Sequence, residues 1–102
     1  MNGLFSNVYG KIGKLEENHA TFETLQKARQ DLVGEIQAII EYDTHIRNTQ
    51  DRLARKTWEN IKGEELTHVG ELLALIDYLD PTQRIFVENG IKEFSERKNS
   101  NT

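Results

Sequence analysis

A helical apolar pattern extends from about Thr21 to Leu79 and is interrupted by one polar run, residues 47–51. On both sides of that run, leucine, isoleucine and valine recur three and four residues apart, which is the period of an amphipathic helix. Two such helices joined by a short turn lie antiparallel. The sequence therefore predicts a helical hairpin, with Asn48 or Thr49 as the N-cap of the second helix.

The second helix is predicted to end at Asp80-Pro81. Aspartate is a preferred N-cap, and proline is favoured at the first position of a helix because the N–H that it lacks would have no partner there. A short third helix should follow, to about Glu96. With one proline and no Asn-Gly or Asp-Gly turn between strand-like runs, the composition also favours helices. The predicted fold class is all-α.

At 102 residues the chain is long enough for one domain. Glycines interrupt the apolar residues of its N-terminal segment, so residues 1–20 are expected to form a flexible or partner-ordered arm. Residues 21–97 are predicted to form the helical domain. Residues 98–102 are polar and are expected to be a disordered tail.

Composition excludes several classes of function. The chain has no cysteine, so any metal must be held by nitrogen and oxygen ligands. No apolar run approaches the roughly 20 residues that span a bilayer, and the glycines near the N-terminus do not fit a signal peptide. A net charge of −4 with interspersed signs provides no basic face for nucleic acid. We therefore expect a soluble cytoplasmic protein with no membrane or nucleic-acid partner.

Three polar residues break the apolar pattern of the hairpin. Glu65 and His68 lie within about 40° of the centre of the second helix's apolar arc, and Glu35 lies about 60° from the centre of the first. Glu35 precedes the turn by about 14 residues and Glu65 follows it by about 16, which places them at similar height. Buried carboxylates are costly unless a cation compensates them, and a metal is the simplest candidate.

The spacing of Glu65 and His68 is that of the Glu-x-x-His element of carboxylate-bridged di-metal proteins, which use two such elements and two further glutamates. This chain has one set. A two-fold homodimer would duplicate Glu35, Glu65 and His68 and complete a four-helix bundle. The alternative without metal is that Glu65 and His68 form a buried hydrogen-bonded pair that fixes the register of the helices. Other functions left open are a rubrerythrin-like peroxidase or other di-iron oxidase, and a non-enzymatic helical assembly or adaptor protein.

The segments 35–42 and 64–76 and the closing Asp80-Pro81 resemble the encapsulated ferritins, and the resemblance covers about residues 30–82. It implies a ferroxidase with two irons at each dimer interface, assembled into a larger ring and acting in iron storage or detoxification. It also implies cargo of an encapsulin nanocompartment. By this likeness Glu35, Glu65 and His68 bind metal, and Tyr42 neighbours the iron centre.

The sequence departs from that family in two places. Gly34 and Gln37 stand where family members can carry acidic residues that guide metal in. Residues 95–102 are polar, whereas cargo members usually end in a short apolar targeting peptide, and the comparable stretch here is residues 12–15. Glu64, near the edge of the apolar arc, is a further candidate for contact with the metal.

Overall fold

The computed structural model describes residues 19–101, which form three α-helices. We name them α1, His19–Arg47; α2, Arg52–Leu79; and α3, Pro81–Ser100. Helices α1 and α2 pack along their lengths as an antiparallel hairpin, and α3 contacts α2 near their shared boundary. Residues 19–101 contain no strand, so the all-α prediction of a hairpin with a third helix is confirmed. The predicted arm, residues 1–20, lies outside the described residues except for its last two, which begin α1.

The turn of the hairpin ends at Asp51, which is the N-cap of α2. Its side-chain Oδ1 accepts a hydrogen bond from the backbone N–H of Ala54 at 2.9 Å. The prediction of Asn48 or Thr49 as the cap was wrong. The backbone N–H of Asn48 still donates to the carbonyl of Thr44 at 3.1 Å, so this residue closes the last turn of α1 and does not open α2.

The boundary between α2 and α3 is the predicted one. The backbone N–H of Asp80 donates to the carbonyl of Ile76 at 2.8 Å and so closes α2. Its Oδ1 accepts from the backbone N–H of Gln83 at 3.1 Å and so caps α3, and Pro81 takes the first helical position. One residue therefore ends one helix and begins the next.

Helix α3 continues to Ser100, past the predicted end near Glu96, and takes in residues that the sequence assigned to the tail. Arg97 and Lys98 lie in its last turn. Cations at this end of a helix interact favourably with the helix dipole, and no glycine or proline follows Glu96 to stop the helix. The predicted end was therefore too early.

The core of the described chain is small. Leu25 and Ala28 of α1 and Ile76 of α2 are buried, and Leu32 and Leu79 pack against them. The described residues span 57 × 43 × 16 Å. The shortest of these extents is less than half of either of the others, so the described residues form a flat layer. A layer of this depth encloses few side chains within a single chain.

Large apolar side chains are exposed on all three helices. They are Phe22, Val33, Ile36 and Ile40 of α1; Leu53, Leu66, Leu73, Leu75 and Tyr78 of α2; and Ile85, Phe86, Val87, Ile91 and Phe94 of α3. Extended apolar surface of this kind marks contacts with other molecules. Within the described part of the chain, the search for a helix apolar and long enough to cross a membrane found none.

Candidate metal centre

The hairpin brings the three residues singled out by the sequence to one place. Helix α1 contributes Glu35, and α2 contributes Glu65 and His68 from adjacent turns. Ligand atoms of all three lie within 4.8 Å of one another. The level match across the turn predicted this meeting, because equal helical rise on both sides places the two glutamates at the same height. Their role as ligands stays a prediction.

The distances within this cluster are longer than hydrogen bonds. Nδ1 of His68 lies 3.7 Å from Oε1 of Glu35 and 3.8 Å from Oε2 of Glu65. An N–H···O hydrogen bond measures about 2.7–3.2 Å. Two atoms that each lie about 2.1 Å from a shared metal ion are separated by roughly 3–4 Å. The spacing therefore suits ligands around a cation better than a directly bonded triad.

Burial in the cluster is uneven. The side chains of Glu35 and Glu65 are 25% and 20% exposed, whereas that of His68 is 49% exposed. Oε2 of Glu35 is buried and has no hydrogen-bond partner. Leaving a buried acceptor unsatisfied costs about 1–3 kcal/mol, and more for a charged group. Carboxylate oxygens with one imidazole nitrogen form a donor set that iron accepts, so the residues fit such an ion.

Two cations on the hairpin are engaged elsewhere. Lys62 pairs with Asp43 at 2.5 Å, and Arg29 pairs with Asp80 at 2.8 Å. Neither ammonium nor guanidinium is therefore directed at the cluster. Among the described residues, the buried oxygen of Glu35 therefore has neither a hydrogen-bond partner nor one of these two cations beside it.

The cluster opens into a groove of about 540 Å³. The groove is lined by Gln30, Asp31, Gly34, Glu35, Ala38, Glu65, His68, Glu71 and Leu72. Sequence reasoning missed Asp31 and left Glu71 as either a solvated glutamate or a neighbour of the metal ligands; both add carboxylates to the walls of the groove. The signal was present, because Asp31 precedes Glu35 by four residues and Glu71 follows His68 by three, which are the spacings of neighbours on one helix face.

The two outer candidates lie away from the groove lining. Tyr42 is half-buried, and its ring contacts His45 edge-on at a centroid distance of 6.4 Å. The His45 ring in turn lies 5.1 Å from that of Trp58. Glu64 is exposed and is not part of the three-residue cluster. Contact of Tyr42 or Glu64 with a metal stays a prediction.

A solved structure shares this architecture. The crystal structure of the encapsulated ferritin domain from Pyrococcus furiosus superposes with a TM-score of 0.73 at 33% sequence identity, covering 74% of this chain and 78% of that one. The chain belongs to the encapsulated ferritin family. The family resemblance noted in the sequence is thereby confirmed, and the hairpin with its third helix is the ferritin-like fold of an encapsulated ferritin.

A curated relative extends the comparison. A ferritin-like–encapsulin shell fusion protein from Pyrococcus furiosus is 34% identical over 74 residues, which are 72% of this chain and 21% of the relative. This encapsulated ferritin chain thus matches about a fifth of the fusion protein's length. The name of the relative joins a ferritin-like part with an encapsulin shell part. No protein-family model matches the sequence.

Proposed function

We propose that this encapsulated ferritin is a ferroxidase, which oxidises Fe(II) to Fe(III) with O₂ at a di-iron centre formed between two copies of the chain. Its role would be iron storage or detoxification. The observation that carries the proposal is the cluster of Glu35, Glu65 and His68, whose ligand atoms lie within 4.8 Å of one another and include a buried oxygen without a partner.

The need for two copies follows from counting ligands. Di-iron carboxylate sites in helical bundles take four carboxylates and two imidazoles from four helices. One hairpin provides two helices, two carboxylates and one imidazole. A two-fold axis through the open groove duplicates each residue and turns two hairpins into one four-helix bundle. The groove beside the cluster is open to solvent on one side. The second hairpin would cover that side.

The apolar surface supports further assembly. Leu75, 40% exposed, follows His68 by one heptad and would be covered when two hairpins meet at the groove. Val33 and Ile40 lie about 140–160° around α1 from Glu35 and would remain exposed in that dimer. Their exposure supports growth of the homodimer into a larger ring.

The residues of the chain would act by binding and holding iron. Glu65 and His68 would hold Fe(II) from one helix face, and Glu35 would hold it from the facing helix. Carboxylates retain both Fe(II) and Fe(III) because hard oxygen donors suit both ions. The iron substrate provides the electrons that reduce O₂.

We also propose an encapsulin shell as the partner and a nanocompartment in the cytoplasm as the location. Support comes from the relative in which ferritin-like and encapsulin shell parts share one chain. Such a fusion keeps the two parts together at a high effective concentration. Where the ferritin-like protein and the shell are separate chains, a segment of the ferritin-like protein must bind the shell to keep the two together. The candidate, residues 12–15, lies outside the described residues.

The test is to add two equivalents of Fe(II) per dimer in air and to measure the rate of oxidation from the absorbance of Fe(III). Glu65→Ala removes a ligand and should reduce the rate to that of Fe(II) in buffer alone. Glu59→Ala, which changes an exposed glutamate of the same helix, should oxidise iron as fast as the unaltered chain. If the unaltered chain were no faster than Glu65→Ala, the ferroxidase proposal would be wrong.

The alternatives make different predictions. A rubrerythrin-like peroxidase with the same ligands would consume peroxide faster than O₂. An adaptor protein would keep its oligomer size and melting temperature when a chelator removes metal. Anomalous scattering at the iron edge from crystals grown with iron tests the location directly: the proposal requires metal between two chains at Glu35, Glu65 and His68.

A further inference from the structure

Helix α3 is attached to the hairpin with little apolar packing. None of its residues is buried, and its large apolar side chains are 42–64% exposed. Its contact with α2 is confined to a few residue pairs, against the long interface that joins α1 and α2. In most small domains, burial of an apolar stripe sets the direction of a helix. In this chain another kind of contact must set the direction of α3.

A network of polar side chains joins α3 to the hairpin where apolar packing is lacking. The guanidinium of Arg29 on α1 donates from Nη2 to Oδ2 of Asp80 at 2.8 Å and from Nε to Oε1 of Gln83 at 3.0 Å. Nη2 also donates to the same Gln83 oxygen. The Arg29 and Asp80 side chains are 36% and 21% exposed. A planar guanidinium held at two acceptors fixes direction as well as distance.

Asp80 is the centre of this network, because its polar groups contact all three helices. Its backbone N–H closes α2 and its Oδ1 caps α3, while its Oδ2 receives Arg29 from α1. Capping orders the first turn of α3 but does not fix the angle between α3 and the hairpin. That angle depends on the backbone torsions at residue 80, which have φ −137° and ψ 81°.

We propose that Arg29 is a latch that fixes the direction in which α3 leaves the hairpin, by binding Asp80 and Gln83 together. The latch holds residues before and after Pro81, so rotation at the boundary would break both contacts. A helix held in one direction loses less conformational entropy when its apolar side chains meet another surface. The latch thereby preorganises α3, and the inference does not depend on the proposed iron chemistry.

The absence of native cysteine allows a direct measurement. Lys27→Cys on α1 and Glu96→Cys on α3 place spin labels at exposed positions on the two helices. Diluting the labelled chain with unlabelled protein keeps the measured electron–electron distances within one chain. The latched protein should give one narrow distance distribution. Arg29→Met, which keeps the apolar stem and removes the guanidinium, should give a broad one. A narrow distribution unchanged in Arg29→Met would overturn the proposal.

Arg84→Met is the matched control. It removes an arginine of α3 whose pair with Glu88 is exposed, with both side chains at 60%, so the distribution should stay narrow. Broadening equal to that of Arg29→Met would mean that loss of any arginine loosens α3, and the latch would be rejected.

A second variant separates the latch from the cap. Asparagine caps helices about as well as aspartate, so Asp80→Asn should keep α3 helical by circular dichroism while weakening the charged contact with Arg29. The distribution should broaden, and Arg29→Met added to it should broaden it no further than Arg29→Met alone. Additive broadening would show that the two residues act independently. If Arg29→Met does not fold, Arg29→Lys, which keeps the charge and loses the planar fork, takes its place.

Discussion

The hairpin contains an apolar layer and a polar layer of side chains, and the two differ in whether their buried groups have partners within the described residues. In the apolar layer, Leu25 and Ala28 meet Ile76, and each is at most 4% exposed. In the polar layer further along α1, Glu35 meets Glu65 and His68, and one carboxylate oxygen is buried without a partner. The first layer stabilises the fold by itself. The second leaves a polar group unsatisfied within the described residues, and such local conflicts with the rules of folding are expected at functional sites.

The apolar layer should give the largest effect on stability. Ile76→Ala is expected to lower the free energy of unfolding by about 2–5 kcal/mol, since it removes buried methyl groups and leaves a cavity. Leu53→Ala changes a side chain that is 77% exposed and should cost less than about 0.5 kcal/mol. Urea denaturation at one fixed chain concentration measures both. Equal losses would mean that the layer contributes no more than the surface does.

The polar layer should respond in the opposite direction. Without metal, Glu35→Leu is expected to raise the free energy of unfolding by about 1–3 kcal/mol, because it removes the buried oxygen that lacks a partner. Fe(II) without oxygen, at about 100 times its dissociation constant, should stabilise the unaltered chain by about 2.7 kcal/mol and leave Glu35→Leu unchanged. Chemical denaturation with chelator or with anaerobic Fe(II) measures both effects.

Glu41→Leu is the control for this substitution, because Glu41 is an exposed glutamate of the same helix. It should neither gain stability without metal nor lose the response to Fe(II). A metal-free Glu35→Leu protein that is no more stable than the unaltered chain would contradict the contrast between the two layers.

The smallest effect is expected at the walls of the groove. Asp31→Asn with Glu71→Gln should slow Fe(II) binding a few-fold at low salt, because two carboxylates beside the ligand cluster raise the local concentration of cations. At about 1 M salt, where the Debye length is about 3 Å, the difference should vanish. Stopped-flow mixing measures the rate, and the iron bound at saturation should not change.

The charge-matched control removes two carboxylates that do not line the groove. Glu59→Gln with Glu93→Gln changes two exposed side chains and lowers the net negative charge by the same amount. If it slows binding as much as the pair at the groove does, net charge is responsible and the walls of the groove have no special effect.

Much of the fold could be predicted because local rules decided it. Asp80-Pro81 combines a preferred cap with a residue that is favoured at the start of a helix, so the boundary was clear from two residues. The meeting of Glu35 with Glu65 and His68 followed from equal helical rise on either side of the turn. These features depend on spacing along the chain, which a sequence states directly.

The remaining features depend on geometry that spacing does not state. The turn offers several polar residues, and the one that caps α2 is Asp51, whose Oδ1 accepts from the backbone N–H of Ala54. The contact of Arg29 with Asp80 joins residues 51 positions apart through a long side chain. The place of Glu71 in the groove depends on how closely the helices approach. Local spacing places Glu71 on the same helix face as His68, but it does not give the distance between the helices or the partner of a long side chain.

The shortest extent of the described residues is 16 Å, and so thin a layer affects which positions can vary during evolution. In a globular domain, a hidden interior limits substitution and the outside varies with less restraint. Here three buried side chains form the interior of the described region, so contacts with neighbouring proteins should limit substitution more than the interior does. Outward-facing substitutions could then exchange one neighbouring protein for another and leave the hairpin intact.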